Sequence, residues 1–341
     1  MLDFGMRWLV VVMALASACK DGRDSREAPR AGSAAPAGSA ARATGSATLP
    51  AGPDPWAMTK TRDDGLPSLS QRVARANTLC PKVTGPYFFE VAKDGKVSHI
   101  LGTRHVSVSL AKFPEVVRRS IRSAKLAVFE VAPDDTSSRR AKDEPLRDKL
   151  GQDDWGHLRE LVGNDMAEEL ATAPSDTAVI SMLVMYEDIT NMLDKQIEDM
   201  VAAQKIPAIG LETAAFQDDV LAKLLDFRML RATVENTKSR AEIDKDSAAD
   251  LIQYCAGTDD SPGMDDDEKT KLHKAGYTDA ELAAMDQTLV FSRNSSWIPK
   301  FEELFGKGDV FVAVGADHLI GKRGVVSLLR ERGFTVTRIT R

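Results

Sequence analysis

Asp309-Val310-Phe311-Val312-Ala313-Val314-Gly315-Ala316-Asp317-His318-Leu319-Ile320-Gly321 is a short apolar run that feeds directly into Gly-x-x-His. The same arrangement occurs far earlier, where Val97-Ser98-His99-Ile100-Leu101 leads into Gly102-Thr103-Arg104-His105. A strand that stops at glycine and presents a histidine one turn later puts an imidazole at the carboxyl edge of a sheet. In open α/β sheets that edge is where ligands bind. Two such histidines, distant in sequence, are expected where a fold brings separate strand ends to one bipartite site.

Working outward, Tyr87 to Ala92 and Val97 to Leu101 flank Asp94-Gly95, which predicts a hairpin. Pro114 suits a helix start, and Phe113, Val117, Ile121 and Ala124 form one apolar helical stripe behind it. Leu126 to Val131 reads as a buried strand carrying Glu130 near its end. Pro207 to Glu212 reads as another short buried strand, again ending in a carboxylate. Helical patterns fill roughly 153–204, 214–256 and 279–305, with Met182, Met185, Met192 and Met200 read as adaptable core packing. A helix around 324–332, stopped by Gly333, precedes a last strand over 334–339. Strands alternating with helices predict an α/β fold: one domain, a central β-sheet and a large helical insert.

The first part of the chain reads differently. Met1 to Ala18 has Arg7, a short apolar core and a small-residue cleavage site, too short for a membrane-spanning helix. Cys19, directly after Ala16-Ser17-Ala18, makes this segment resemble a bacterial lipoprotein signal, with Cys19 as the lipidated residue. Residues 19–66 are rich in Ala, Gly, Ser and Pro, which cannot bury enough surface to fold and so predict a tether. The globular domain is then 67–341. By the same resemblance Lys20 favours an outer-membrane lipoprotein facing the periplasm, with ordinary secretion the alternative. Net charge is -6, without a basic stripe and interleaved aromatics, so no nucleic-acid partner is expected. The two remaining cysteines, Cys80 and Cys255, could pair in an oxidising envelope compartment or stand as separate thiols. The acidic stretch from Asp259 to Glu268 lacks EF-hand spacing and reads as a solvated loop.

Only five histidines are present. His99, His157 and His273 have no patterned partners and read as structural, whereas His105 and His318 share a context. A hydrolytic metal normally has three protein ligands and an open position for water. A carboxylate should supply the third ligand, and either Glu130 or Glu212 could do so, the other acting as general base.

These residues also carry a family resemblance. The hairpin leading into Gly102-Thr103-Arg104-His105, the strand Val128-Phe129-Glu130-Val131, and Gly210-Leu211-Glu212-Thr213 with Gln217 resemble the TraB/GumN (PrgY) family. So do Arg293-Asn294 with Trp297, Val314-Gly315 through Gly321, and Leu328 to Phe334. The resemblance spans about 88–339. It implies relation to the Tiki metalloproteases and to the erythromycin esterase and ChaN-like group. It also implies His105, His318 and Glu130 as metal-site residues for a divalent ion (Zn, Mn or Co). Arg293 is implied as the group that polarises a carbonyl or holds a substrate carboxylate, with Glu212 a further candidate. Two positions depart from the usual pattern: Arg104, a cation beside His105 unless it pairs, and Asp317, which could offset Arg104 or add an oxygen ligand. The expected function is a metal-dependent, peptidase-like hydrolase of peptide or small acyl substrates, anchored to the membrane through lipid. The alternative is a non-catalytic envelope protein of the same fold that binds or sequesters a peptide or other ligand.

Overall fold

The computed structural model describes residues 65–139, 142–258, 264 and 266–341. The signal-type segment, Cys19, nearly all of the tether and most of the acidic stretch after Thr258 lie outside the described residues. Asp94 and Gly95 both adopt positive φ, at 51° and 72°. That is the geometry of a two-residue hairpin turn. It joins β1 (Phe88–Lys93) to β2 (Lys96–Thr103) in antiparallel register, with Phe88 opposite Leu101. β3 (Leu126–Val131), β4 (Ala208–Glu212), β5 (Val310–Gly315) and β6 (Thr335–Arg338) complete one sheet in the order β4-β3-β5-β2-β1-β6. β4, β3, β5 and β2 run parallel, and β1 pairs antiparallel with both β2 and β6. The α/β reading is therefore correct, with a mixed sheet.

β5 is buried along its whole length, as a continuous apolar run in a central parallel strand should be. One face of the sheet is packed by the helix Ser292–Lys307 through Trp297, Ile298, Phe301 and Phe305. Phe113, Val117 and Ile121 are buried as their spacing predicts, on and beside the helix Glu115–Ser123. β4 departs from expectation. It is half-buried throughout because it forms the sheet's edge and has one strand neighbour. The helical part comes in two stretches on either side of β4. Between β3 and β4 run helices Leu146–Val162, Asn164–Leu170, Ser175–Val184 and Leu193–Ala203. Between β4 and β5 lie Ala214–Leu224, Phe227–Asn236, Arg240–Ala256, Asp266–Lys274, Asp279–Asp286 and Ser292–Lys307. Many of these helices share a second apolar core, distinct from the sheet core, in which Met182 and Met185 are buried. Among the described residues no helix is long and apolar enough to cross a membrane.

Cys80 and Cys255 are joined as a disulfide, their Cα atoms 6.0 Å apart. It ties the helix Leu69–Leu79, which ends at Cys80, to the end of the helix Arg240–Ala256. A link across a sequence separation of 175 restricts the unfolded chain strongly, an effect typically worth about 2–4 kcal/mol.

Candidate active site at the carboxyl edge of the sheet

β2 and β5 are adjacent and parallel, with Gly102 opposite Val314 and Thr103 opposite Gly315. The two Gly-x-x-His segments therefore leave the sheet side by side. Gly102 is needed for this approach. A Cβ there would stand 2.8 Å from Tyr87 Cβ and 2.9 Å from Ala316 Cα, closer than side chains pack. On the far side of β5, β3 brings Glu130 to the same edge, and β4 brings Glu212 opposite Val131. Four distant segments thus deliver His105, His318, Glu130 and Glu212 to one end of the sheet.

Arg293 joins them from a helix rather than a strand. It lies in the first turn of the helix Ser292–Lys307, directly after a π-helical turn over Gln287–Phe291. Such turns often accompany functional sites. Its Nη2 donates to Glu130 Oε2 at 2.7 Å and also to Glu212 Oε1, and its Nε donates to Glu212 Oε2 at 3.0 Å. Its Nη1 donates to the Leu289 carbonyl at 3.1 Å and approaches His318 Nε2 at 3.1 Å. A guanidinium only donates, so His318 Nε2 is the acceptor and carries the lone pair. The ring proton then sits on Nδ1, which donates to Asn294 Oδ1 at 2.7 Å. Trp297 walls this group, its ring 4.5 Å from that of His318 and 5.1 Å from Arg293 Cζ.

The group is deeply buried: His318 is 0% exposed, Arg293 2%, and Glu130 and His105 8% each. Burial alone would raise the Glu130 carboxyl. The Arg293 guanidinium, the two histidines and the Gly315 N–H at 2.7 Å outweigh it and hold Glu130 at about 2. Glu212 goes the other way. Burial, together with the nearby charge of Glu130, raises it despite its bonds to Arg293. One cation between two buried carboxylates neutralises one of them. Burial presses His318 down to about 3, so its imidazole is neutral. Gln217 bridges the two acids, its Nε2 donating to Glu130 Oε2 and Glu212 Oε1 at 3.0 Å each.

His105 is held differently. Its Nδ1 is in ion-pair contact with Asp194 Oδ2, at the start of the helix Leu193–Ala203. Burial would lower this imidazole, but the charges of Asp194 and Glu130 raise it. Its Nε2 is buried without a hydrogen-bond partner among the described residues, as are Thr103 Oγ1 at the end of β2 and Gln217 Oε1. Buried polar atoms are rarely left unpaired, and exceptions ask for an explanation such as a bound ion or water. Arg104 does not confront His105 with a bare cation. It forms a two-pronged pair with Glu187 at 2.9 and 3.0 Å, and Glu187 also accepts from Ser107 and Ser247. Asp317 is buried, at 3% exposure.

The donor chemistry suits a divalent ion. His318 has Nδ1 bonded to an oxygen acceptor and His105 has Nδ1 in contact with a carboxylate oxygen, which resembles the outer-shell arrangement of metal-ligating histidines. Against this, the Arg293 guanidinium contacts His318 and both carboxylates, although His318 Nε2 and Glu130 Oε1 also lie 3.8 Å apart. Among the described residues no group of three or more His, Cys, Asp or Glu is spaced to hold a metal ion. Reading the sequence picked out His105, His318, Glu130, Glu212 and Arg293, and the fold brings all five to one edge. It gave no role to Asp194, Glu187 or Asn294. Asn294 adjoins Arg293, but nothing in the sequence ties it to His318.

The other three histidines lie away from this site in contacts of their own. The His99 ring stacks on Phe88, His157 Nε2 bonds the Thr237 carbonyl, and His273 Nδ1 bonds that of Tyr277.

No curated protein and no solved structure matches this chain. The model of the TraB/PrgY/gumN family matches residues 87–338, from β1 through β6, and takes in both Gly-x-x-His segments, Glu130, Glu212 and Arg293. The chain belongs to the TraB/PrgY/gumN family.

Proposed function

We propose that this protein is a metal-dependent hydrolase of amide or similar acyl bonds, tethered to the bacterial envelope through Cys19. The observation that carries this reading is the unpartnered, buried Nε2 of His105 beside a second imidazole whose Nε2 also bears a lone pair. His105, His318 and Glu130 would hold the ion. When bound, a divalent cation polarises an acyl carbonyl and makes water a competent nucleophile at neutral pH. The chain's own residues provide the rest. Asn294 keeps the His318 proton on Nδ1, and Gly315 N–H fixes one Glu130 oxygen. Glu212, the carboxyl that burial raises, is suited to take a proton from water and return it to a leaving group. Arg293 would have to release His318 Nε2, and its remaining donors can then face charge that develops on an acyl oxygen.

A second reading is favoured by Arg293 itself. Its guanidinium already neutralises the acidic pair, which suits a ligand-binding or sequestering protein that performs no chemistry. Incubating the full chain with a peptide library, with Mn²⁺ or Co²⁺ and separately with chelator, distinguishes the two by product mass. The hydrolase reading expects new fragments that require metal and vanish in His105→Ala and His318→Ala. Retained but intact peptides, alike in all samples, would support sequestration and end the hydrolase reading.

A further inference from the structure

We propose that Asp194 is a positioning residue for the site: it holds the His105 proton on Nδ1 and so presents Nε2 as a lone pair. Three observations carry this. Asp194 Oδ2 is in ion-pair contact with His105 Nδ1 and makes no hydrogen bond to any other described group, and Nε2 of the same ring has no hydrogen-bond partner among the described residues. Asp194 lies in the first turn of the helix Leu193–Ala203. The partial positive charge of a helix start favours a carboxylate there. The chain around it is also braced. Ser107 Oγ receives the Asp188 N–H at 2.8 Å, and Ser107 N–H donates to the Asp188 carbonyl at 2.9 Å. Gln196 Oε1 accepts the Leu110 N–H at 2.9 Å. These bonds clamp the segment after His105 to the segment bearing Asp194 on both sides of the contact.

The two histidines are therefore oriented by unlike partners. His318 has a neutral amide, Asn294, whereas His105 has a carboxylate. A carboxylate fixes the tautomer more firmly and makes the ring a stronger donor through its other nitrogen. In a neutral imidazole without such a partner the proton is free to occupy either nitrogen. Losing Asp194 should then remove the His105 lone pair from the site without disturbing His318.

This inference rests on the metal-site reading for its consequence, but its first test does not require metal. Ring ¹⁵N chemical shifts of the metal-free full chain, recorded above the titration of His105, report which nitrogen bears the proton. Wild type should show Nδ1–H at both His105 and His318. Asp194→Ala should shift His105 toward Nε2–H and leave His318 unchanged, which also reports that the variant is folded. Asp194→Asn keeps an acceptor oxygen and should restore the wild-type tautomer. Co²⁺ titration followed by absorbance should then show affinity in Asp194→Ala reduced roughly 10–100-fold, and less in Asp194→Asn. An unchanged Nδ1–H tautomer in Asp194→Ala would overturn the assignment. A shifted tautomer in a protein whose wild type takes up no Co²⁺ would uphold Asp194 as positioning His105 and defeat the metal reading instead.

Discussion

Replacing Arg293 by methionine is expected to destabilise the fold by roughly 3–5 kcal/mol at neutral pH, the usual cost of stranding a buried charge. Arg293 binds Glu130 and Glu212 from a position almost wholly removed from water. Methionine fills much of the volume, so the loss is electrostatic rather than a cavity. The pH dependence follows from the shifts. Glu130 is held at about 2 against an ordinary 4.5. Its stabilisation is therefore fully present above 4.5 and is lost as pH falls toward 2. Glu212 is raised, so its ionised form is a burden on the fold at neutral pH that acid relieves. Without Arg293 both acids favour protonation on folding. The gap between variant and wild type should be widest near neutrality, narrow as pH falls toward 4.5 because the variant's acids take up protons on folding, and narrow further below 4.5 as wild type loses the Glu130 contribution. Urea unfolding at pH 7 and at pH 4 measures this. Equal midpoints at pH 7 would mean that water or a bound ion, not Arg293, balances the acids. Arg293→Lys should be intermediate, because an ammonium lacks the planar fork that spans both carboxylates.

A comparable loss, again about 3–5 kcal/mol, is expected when Glu187 is replaced by leucine. Arg104 is buried and paired with Glu187 through both terminal nitrogens. Leucine leaves that guanidinium, Ser107 Oγ and Ser247 Oγ without their shared acceptor. Burial would raise Glu187, but Arg104 outweighs it and lowers the carboxyl. This contribution is therefore present above the ordinary glutamate value and lost on acidification below it. The double variant Arg104→Met with Glu187→Leu should cost much less than the two single changes summed, because no lone charge remains. Additive costs would contradict the two residues acting as one paired unit. The same pair explains how a cation next to His105 is tolerated.

The sheet edge was legible because its signals are local. Apolar runs that stop at glycine mark β2 and β5, and carboxylates at strand ends mark Glu130 and Glu212. Asp94-Gly95 fixed the hairpin for the same reason. The strand order was not legible. β5 inserts between β2 and β3, and no local pattern encodes which parallel strands become neighbours. Edge position was missed too, since Ala208–Glu212 is as apolar as an inner strand and only its single neighbour leaves it half-buried. Asp194 and Glu187 escaped notice because their partners lie 89 and 83 residues away, in contacts set by the packing of the helices Leu193–Ala203 and Arg240–Ala256. Arg293 was picked out, but the π-helical turn at Gln287–Phe291 that precedes it is not announced by the sequence.

The central claim is that His105, His318 and Glu130 form one ion site, and metal content measures it most directly. The full chain and its His105→Ala and His318→Ala variants would each be loaded with Zn²⁺, Mn²⁺ or Co²⁺, desalted, and analysed by mass spectrometry. The account predicts close to one ion per wild-type chain and near-complete loss in each histidine variant. A folded wild type that retains no ion, or variants that retain it undiminished, would contradict the shared site and leave Arg293 as the resident cation of that edge.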